Sequence, residues 1–470
     1  MKIAKIMLVL AIAFALGTAA YAETQSVKVS GAITERTIAR QNYDLSTGDY
    51  NGKGTGQTAT TDWDTHLMSQ AEVQIDADLT DNVAGVIRLV NQRVWGNNAY
   101  NSTGDLELNG VAPTTQGQFD VIVDLAYIEL KEFLYSPLTL KIGRQDITFG
   151  NGFIIGAAPQ DPTAALFAPE YSAITSYDAI RATLDYDPWT IDALYAKIDE
   201  NMRRADDDVN LWGINVGYVF DDYNAEMEGY WFYNNDRRSG ATNAGTNKYI
   251  NDTHTLGLRG SFDPIEDWTV GLEGAYQLGE YLNNTTPTTQ STVRDRSAWA
   301  IDAMLEIRTF QDDYAWRPVV GVEYIYYSGQ KDVLDETNGT TGDFNGWNRM
   351  YRGKFDTAIR EFQGNTYTTQ YANDTAGDTN QHQVLLRGTV EPTDSLTLNA
   401  TYAHFWMAEK PTSRAGNKNI GDEVNLQAIW DYTEDVSFGL LSAWFFPGST
   451  YPDNQDAIAT DIVGTVALSF

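Results

Sequence analysis

The chain runs to 470 residues and carries 64 Asp and Glu against 32 Lys and Arg, a net charge of −32, with no cysteine. That balance excludes a nucleic-acid binder, whose phosphate contacts need clustered cations, and the lack of thiols excludes disulfide frameworks, thiolate zinc sites and cysteine nucleophiles. Past residue 22 there is no apolar run of about 18 residues, which excludes a bundle of membrane helices, yet 27 Tyr and 12 Trp are many for a soluble enzyme.

The first segment reads as a secretory signal peptide over 1–22. Lys2 and Lys5 are basic, Ile6 to Leu16 is continuously apolar, and Ala20-Tyr21-Ala22 offers small residues where a signal peptidase cuts. From residue 25 onward the period is two. Leu67, Ala71, Val73, Ile75 and Leu79 alternate with His66, Gln70, Glu72, Gln74 and Asp76. Trp268, Val270, Leu272, Gly274, Tyr276 and Leu278 alternate with Thr269, Glu273 and Gln277. Val424, Leu426, Ala428, Trp430 and Tyr432 do so against Asn425, Gln427 and Asp431, and Ile458 to Phe470 closes the series in the same way. Successive strand side chains point to opposite faces, so each segment is a ribbon with one apolar and one polar side.

Connections come in two sizes. Short turns fall near 79–82, 135–137, 185–188, 221–223, 263–267, 311–318, 391–394 and 433–435. Long polar loops fall near 40–63, 97–118, 150–174, 200–208, 234–251, 281–295, 330–380, 408–419 and 447–456. Eight turns alternating with nine loops predict about eighteen strands with both ends of the mature chain on the turn side. That is the pattern of an all-β transmembrane antiparallel barrel over 23–470, with short periplasmic turns and long extracellular loops. A soluble sandwich or propeller also has many strands, but here the strands are long and the loop lengths asymmetric. Aromatic rings also recur near segment ends (Trp189, Trp212, Tyr218, Tyr223, Trp268, Tyr326, Trp430, Tyr432, Trp444), as two interfacial girdles require. The expected location is the outer membrane of a Gram-negative-type bacterium, with lipid and lipopolysaccharide as surroundings. Phe470, ending an alternating strand, resembles the terminal signal read by the barrel assembly machinery.

Residues 138–156 read LTLKIGRQDITFGNGFIIG. A strand ending in Gly-Arg-Gln, followed by a Gly-Asn-Gly, resembles the alginate export family of outer-membrane barrels, and the strand count and terminal Phe agree over nearly the whole mature chain. The resemblance implies an eighteen-stranded monomeric pore that passes an anionic polysaccharide through an arginine-rich lumen. One departure is plain: this chain is strongly acidic.

Parity assigns the lumenal wall. Opposite the apolar faces stand Lys28, Arg36, Arg88, Lys141, Arg181, Arg259, Arg308 and Arg387, with Glu72, Asp76, Asp124, Asp192, Glu226, Glu228, Glu273, Asp302, Glu306, Glu323, Asp431 and Asp461. Charges of both signs on a water-facing wall steer ions or sugar acids, or pair with neighbours and keep the lumen wet. Arg144 breaks the scheme, because Leu138, Leu140 and Ile142 set an outward parity for it. A bulge at Gly143 that returns Arg144 to the lumen is the preferred expectation, and a place at the surface rim is the alternative. The loop 150–174 carries Gly156-Ala157-Ala158-Pro159 and Ala164 to Pro169, apolar enough to fold inward and constrict the pore, or to form a small plug at the rim.

Catalytic signals are weak. His66, His254, His382 and His404 lie in distant segments, outside any H-E-x-x-H or G-x-S-x-G context, and no loop has the spacing of a calcium site. The expectation is a channel without metal or cofactor. It exports a polysaccharide or sugar acid or, alternatively, acts as a general or ion-selective diffusion porin; a barrel enzyme is the remote third class.

Overall fold

The computed structural model describes residues 26–43, 45, 63–95, 121–134, 137–156, 168–200, 208–221, 224–236, 249–283, 293–308, 310, 314–330, 342–361, 379–410, 417–451, 453 and 455–470. The segment 1–22 expected to be a signal peptide, Tyr223 and residues 157–167 of the candidate constriction loop lie outside them.

Eighteen strands follow in order: β1 (Ser26–Gln41), β2 (Trp63–Thr80), β3 (Val83–Val94), β4 (Ile122–Leu130), β5 (Leu138–Asp146), β6 (Ser176–Tyr186), β7 (Trp189–Asp199), β8 (Val209–Phe220) and β9 (Ala225–Asp236). The second half comprises β10 (Tyr249–Ile265), β11 (Trp268–Asn283), β12 (Arg294–Ile307), β13 (Val319–Tyr327), β14 (Gln381–Thr393), β15 (Leu396–Met407), β16 (Asn419–Asp431), β17 (Val436–Pro447) and β18 (Ala459–Ser469). Each strand pairs antiparallel with its neighbours in sequence, and β1 pairs with β18 from Ala32↔Ser469 to Gln41↔Thr460. The Phe470 and Gly31 main chains exchange hydrogen bonds of 2.9 and 3.0 Å at this seam. Closure leaves no strand edge unpaired, which hydrocarbon demands. The eight short turns gather at one end and the nine long connections at the other, as the turn and loop lengths predict.

The outward faces carry the exposed apolar residues of the alternating runs, among them Val29, Ile142, Leu258, Leu272 and Leu440. Aromatic rings meet one another near both ends, stacked, tilted or edge-on. At the loop end Tyr195, Trp212, Tyr233 and His254 form a chain with centroids 5.6, 5.3 and 4.1 Å apart. Trp299, Tyr326, His382 and Trp406 form another at 4.3, 4.7 and 5.0 Å. At the turn end Trp189 meets Tyr218 at 4.6 Å, and Trp430 meets Tyr432 at 5.3 Å. Three of the four histidines thus sit on the outer face: His254 and His382 within these stacks, and His404 beside Asp422 at 2.8 Å.

The inner face is less uniform than alternation alone predicts. Toward the loop end, inward positions are apolar: Phe232 on β9, Ile325 and Tyr327 on β13, Phe405 on β15 and Phe445 on β17 are all buried. They pack against chain that folds back into the barrel, including Ile147, Phe149, Phe153, Ile154, Ile155, Trp347, Met350 and Ile359, and together these form the main hydrophobic core. Phe153 lies 5.7 Å from Tyr327 and 6.5 Å from Trp347, and an isolated bridge joins Ile155 to Tyr351. The core of this protein is therefore inside the barrel, and its source is loop. From mid-wall to the turn end the inner face carries charged residues such as Arg181, Asp192, Glu228, Arg259, Asp302 and Glu323, and neutral polar ones on β15 and β16.

Candidate functional site

Of the wall residues expected in the lumen, all but one keep inward parity. Arg181 donates to Asp192 at 2.8 Å and lies 5.0 Å from the centre of the Phe149 ring. Arg259 reaches Glu226 and Glu228, each at 2.7 Å, and Tyr230 donates to Glu273 at 2.7 Å. Lys141 stands 3.4 Å from Glu129, and Arg308 lies 3.5 Å from Glu306 and 2.6 Å from the Thr269 hydroxyl. Arg88 donates from Nε to Asp124 at 2.7 Å, and Asp124 also accepts from Ser176 at 2.9 Å. Arg36 bonds Gln70, and Glu72 holds the next inward position of β2. Lys28 and Asp76 are register partners across β1 and β2, while Asp431 ends β16 at the turn side. Asp461 is buried beside Arg40, 3.5 Å away, and accepts from the Tyr43 hydroxyl at 2.9 Å.

Arg144 is the correction. The β4–β5 and β5–β6 registers run through Gly143 without a shift, pairing Arg144 with Ala126 and Asp178 on the outward parity. Gly143 has φ +124°, a left-handed geometry, and a Cβ there would meet the Ala126 carbonyl oxygen at 2.3 Å. The glycine thus relieves a close approach without adding a residue. The bulge falls instead at Asp124, where the β3–β4 register shifts between Arg88 and Leu89. Arg144 stands near the loop-side rim, donates from Nε to the Asp124 carbonyl at 3.1 Å and lies 3.4 Å from outward-facing Asp178. It does not line the pore.

The centre of the site is a feature that parity reasoning missed. Residues 342–361, from the connection between β13 and β14, cross the lumen and are held there by wall carboxylates. Lys354 sits 2.6 Å from Asp302 and also bonds Glu323. Arg387 bonds Glu323 and reaches Asp356 at 2.6 Å. Arg352 lies 2.5 Å from Glu361 and 3.3 Å from Asp356. Glu423 of β16 accepts the backbone N–H groups of Ala358, Ile359 and Arg360 at 2.9, 2.9 and 2.8 Å. Burial acts to lower the Lys354 ammonium, but Asp356, Asp302 and Glu323 outweigh it and hold the group above its ordinary range. Burial pushes the Glu361 carboxyl up, against the pull of Arg352. The signal was present in the sequence: Arg349, Arg352, Lys354 and Arg360 crowd into twelve positions of a chain with only 32 cations. Cations concentrated in one loop of an acidic barrel have the acidic wall as their natural partner.

The two flanks of the candidate constriction loop also enter the lumen. Gly150 to Gly156 packs against the 351–354 segment, with the Gly156 N–H donating to Tyr351 at 2.8 Å. On the other flank Glu170 pairs with Arg40, and the Ala173 N–H donates to Gln92 at 2.9 Å. Between the Glu170–Tyr171 turn and residues 355–358 an open cavity of about 290 Å³ remains, walled by β15, β16 and β17. Among the described residues no group of His, Asp and Glu has the arrangement of a metal site.

Comparison with known proteins agrees with this architecture. A family model described as alginate export matches residues 45–465. No curated protein matches. Among solved structures, *Pseudomonas aeruginosa* OccD3 (OpdP) superposes with a TM-score of 0.52 at 9% identity, covering 95% of this chain and 92% of that one. *Acinetobacter baumannii* OccAB1 gives 0.53 at 9%, covering 96% and 98%, and the outer membrane protein OprD from *Pseudomonas aeruginosa* gives 0.51 at 9%, covering 95% and 96%. At such identities the superpositions speak for the fold alone, while the family match spans most of the chain. An eighteen-strand wall closed on itself, with a charged lumen narrowed by its own loops, is the form taken here by a member of the alginate export family, a barrel channel of the Gram-negative outer membrane.

Proposed function

We propose that this channel passes a hydroxyl-rich solute, a sugar or sugar acid, either free or threaded as a polysaccharide. The observation that supports this is the pairing of charges along an open wall. Arg181, Arg308, Arg387 and Lys141 each stand beside a carboxylate yet keep 25, 36, 34 and 28% of their side chains exposed. Such a wall offers donors and acceptors side by side, which suits sugar hydroxyls and carboxylates better than it suits apolar solutes. The family description, alginate export, agrees with an acidic sugar polymer as cargo. A second reading, a cation-selective diffusion porin, draws on the excess of 64 acidic over 32 basic residues. The proposal is of a channel and not an enzyme. Its surroundings are lipid and lipopolysaccharide, with insertion by the assembly machinery through the strand that ends in Phe470.

The test is a planar-bilayer recording under a KCl gradient, with and without alginate oligomers. An anion-leaning reversal potential with oligomer-dependent blockade supports the sugar-acid reading. A cation preference with no effect of any sugar favours the diffusion porin.

A further inference from the structure

The cavity beside residues 355–358 is walled mainly by neutral polar side chains. Register places four neutral polar side chains in a block on its wall: Asn399 opposite Gln427, and Thr401 opposite Asn425, all inward on β15 and β16. Asn399 accepts from Thr389 at 2.8 Å and donates to Gln427 at 3.2 Å, so the amides are already oriented. Across the cavity stand two rings, Tyr171 and Phe355. The Arg36 guanidinium lies 5.0 Å from the centre of the Tyr171 ring and that of Arg352 5.5 Å from the centre of the Phe355 ring, while Phe355 remains 40% exposed. Two buried acceptors in the lining, Asn425 Oδ1 and Thr357 Oγ1, have no hydrogen-bond partner. A buried polar atom without a partner is costly and is ordinarily satisfied by water or ligand.

The two charged residues of the lining, Glu170 and Asp356, are both acidic and both already engaged. Glu170 pairs with Arg40, and Asp356 lies 2.6 Å from Arg387 and 3.3 Å from Arg352. No Lys or Arg is among the lining residues. A carboxylate solute would therefore enter beside two carboxylates with no unpaired cation to receive it. An uncharged pyranose fits the lining: its C–H face lies on an aromatic ring while its rim hydroxyls meet amides and hydroxyls. The volume of about 290 Å³ sits at the low end of small-molecule sites, the scale of a sugar unit and not of a folded polymer.

We infer that the Phe355, Asn399, Thr401, Asn425 and Gln427 cavity is a subsite for an uncharged sugar unit, at which the solute pauses in transit. The inference rests on the carbohydrate-channel reading and narrows it: the unit that lodges here carries no carboxylate.

The experiment is single-channel recording of the whole barrel with two probes of matched length, maltotriose and trimannuronate. The expected result is that maltotriose interrupts the current with a residence time about tenfold longer than trimannuronate, a difference lying in the rate of leaving. Phe355→Ala is expected to shorten the maltotriose events by about tenfold while Phe355→Tyr retains them, and the paired Asn399→Ala and Gln427→Ala substitutions act in the same direction as Phe355→Ala. Open-channel conductance and heat-modifiable gel mobility report that each variant is folded. Longer events with trimannuronate, or maltotriose events indifferent to Phe355→Ala, overturn the subsite and leave the carbohydrate channel standing. Absence of events with both probes overturns both.

Discussion

In the loop-side half of the lumen, inward positions of the wall are apolar and meet apolar loop residues: Phe232, Tyr327, Phe405 and Phe445 enclose Phe153, Ile155 and Trp347. From mid-wall toward the turns, the same inward positions carry Arg181, Asp192, Glu228, Arg259, Asp302 and Glu323. One strand serves both regimes, as β9 does in running from Glu226 and Glu228 to Tyr230 and Phe232. The difference shows that an inward position has no fixed polarity in a barrel of this width. Where loop returns into the lumen the position is core, and where the lumen stays open it is wall.

The comparison is broken most directly from the dry side. Phe153→Ala removes a buried ring from the interior core and should cost about 3–5 kcal/mol, read as a lowered urea midpoint for the Trp fluorescence change in detergent. If the midpoint is unchanged, the loop-side interior is not a packed core. At the boundary of the two halves, Glu423→Ala strands three backbone N–H donors of the crossing loop and should cost about 1–3 kcal/mol. Its channel signature is a larger and noisier conductance as residues 358–360 leave the wall; a quiet, unaltered channel would count against the tether. On the wet side, Asp192→Asn leaves Arg181 without its carboxylate, and the reversal potential should move toward anions by an amount that shrinks at high salt. Arg144→Leu is the smallest: outward and near the rim, it should change stability by about 0–1 kcal/mol and leave ion selectivity where it was. A clear selectivity change would return Arg144 to the lumen.

The wall was legible in the sequence because two signals reinforce one another. Alternation set which side each of Glu72, Arg88, Lys141, Arg181, Glu273 and Arg387 faces, and the two classes of connection set the strand number. Arg144 was misassigned since a glycine with positive φ and a glycine at a bulge leave the same mark in a sequence, and only register separates them. The tether of residues 342–361 was not legible by periodicity, because a loop that crosses a lumen has no period. Its partners, Asp302 and Glu323 on the hairpin just before the loop and Glu423 on β16 beyond it, meet the loop only once it turns back into the lumen.

The outward ion pair of Arg144 and Asp178 has a consequence for the membrane around it. On β11 the outward run from Trp268 to Leu278 is unbroken by charge for eleven residues, which at a rise of about 3.3 Å and a tilt of about 40° is an apolar height of about 28 Å. On β5 the run ends after Leu138, Leu140 and Ile142, and on β6 and β7 it ends before Asp178 and after Tyr195, giving heights of only about 13–18 Å by the same conversion. Charge also ends the outward run early on β1, where Glu35 follows Ile33 and bonds Ser69, and on β16, where Asp422 precedes Val424 and bonds Tyr402. The apolar belt is therefore uneven around the whole barrel. Lipids beside these low stretches meet a thinner wall than those beside β11, and the bilayer thins locally to match it.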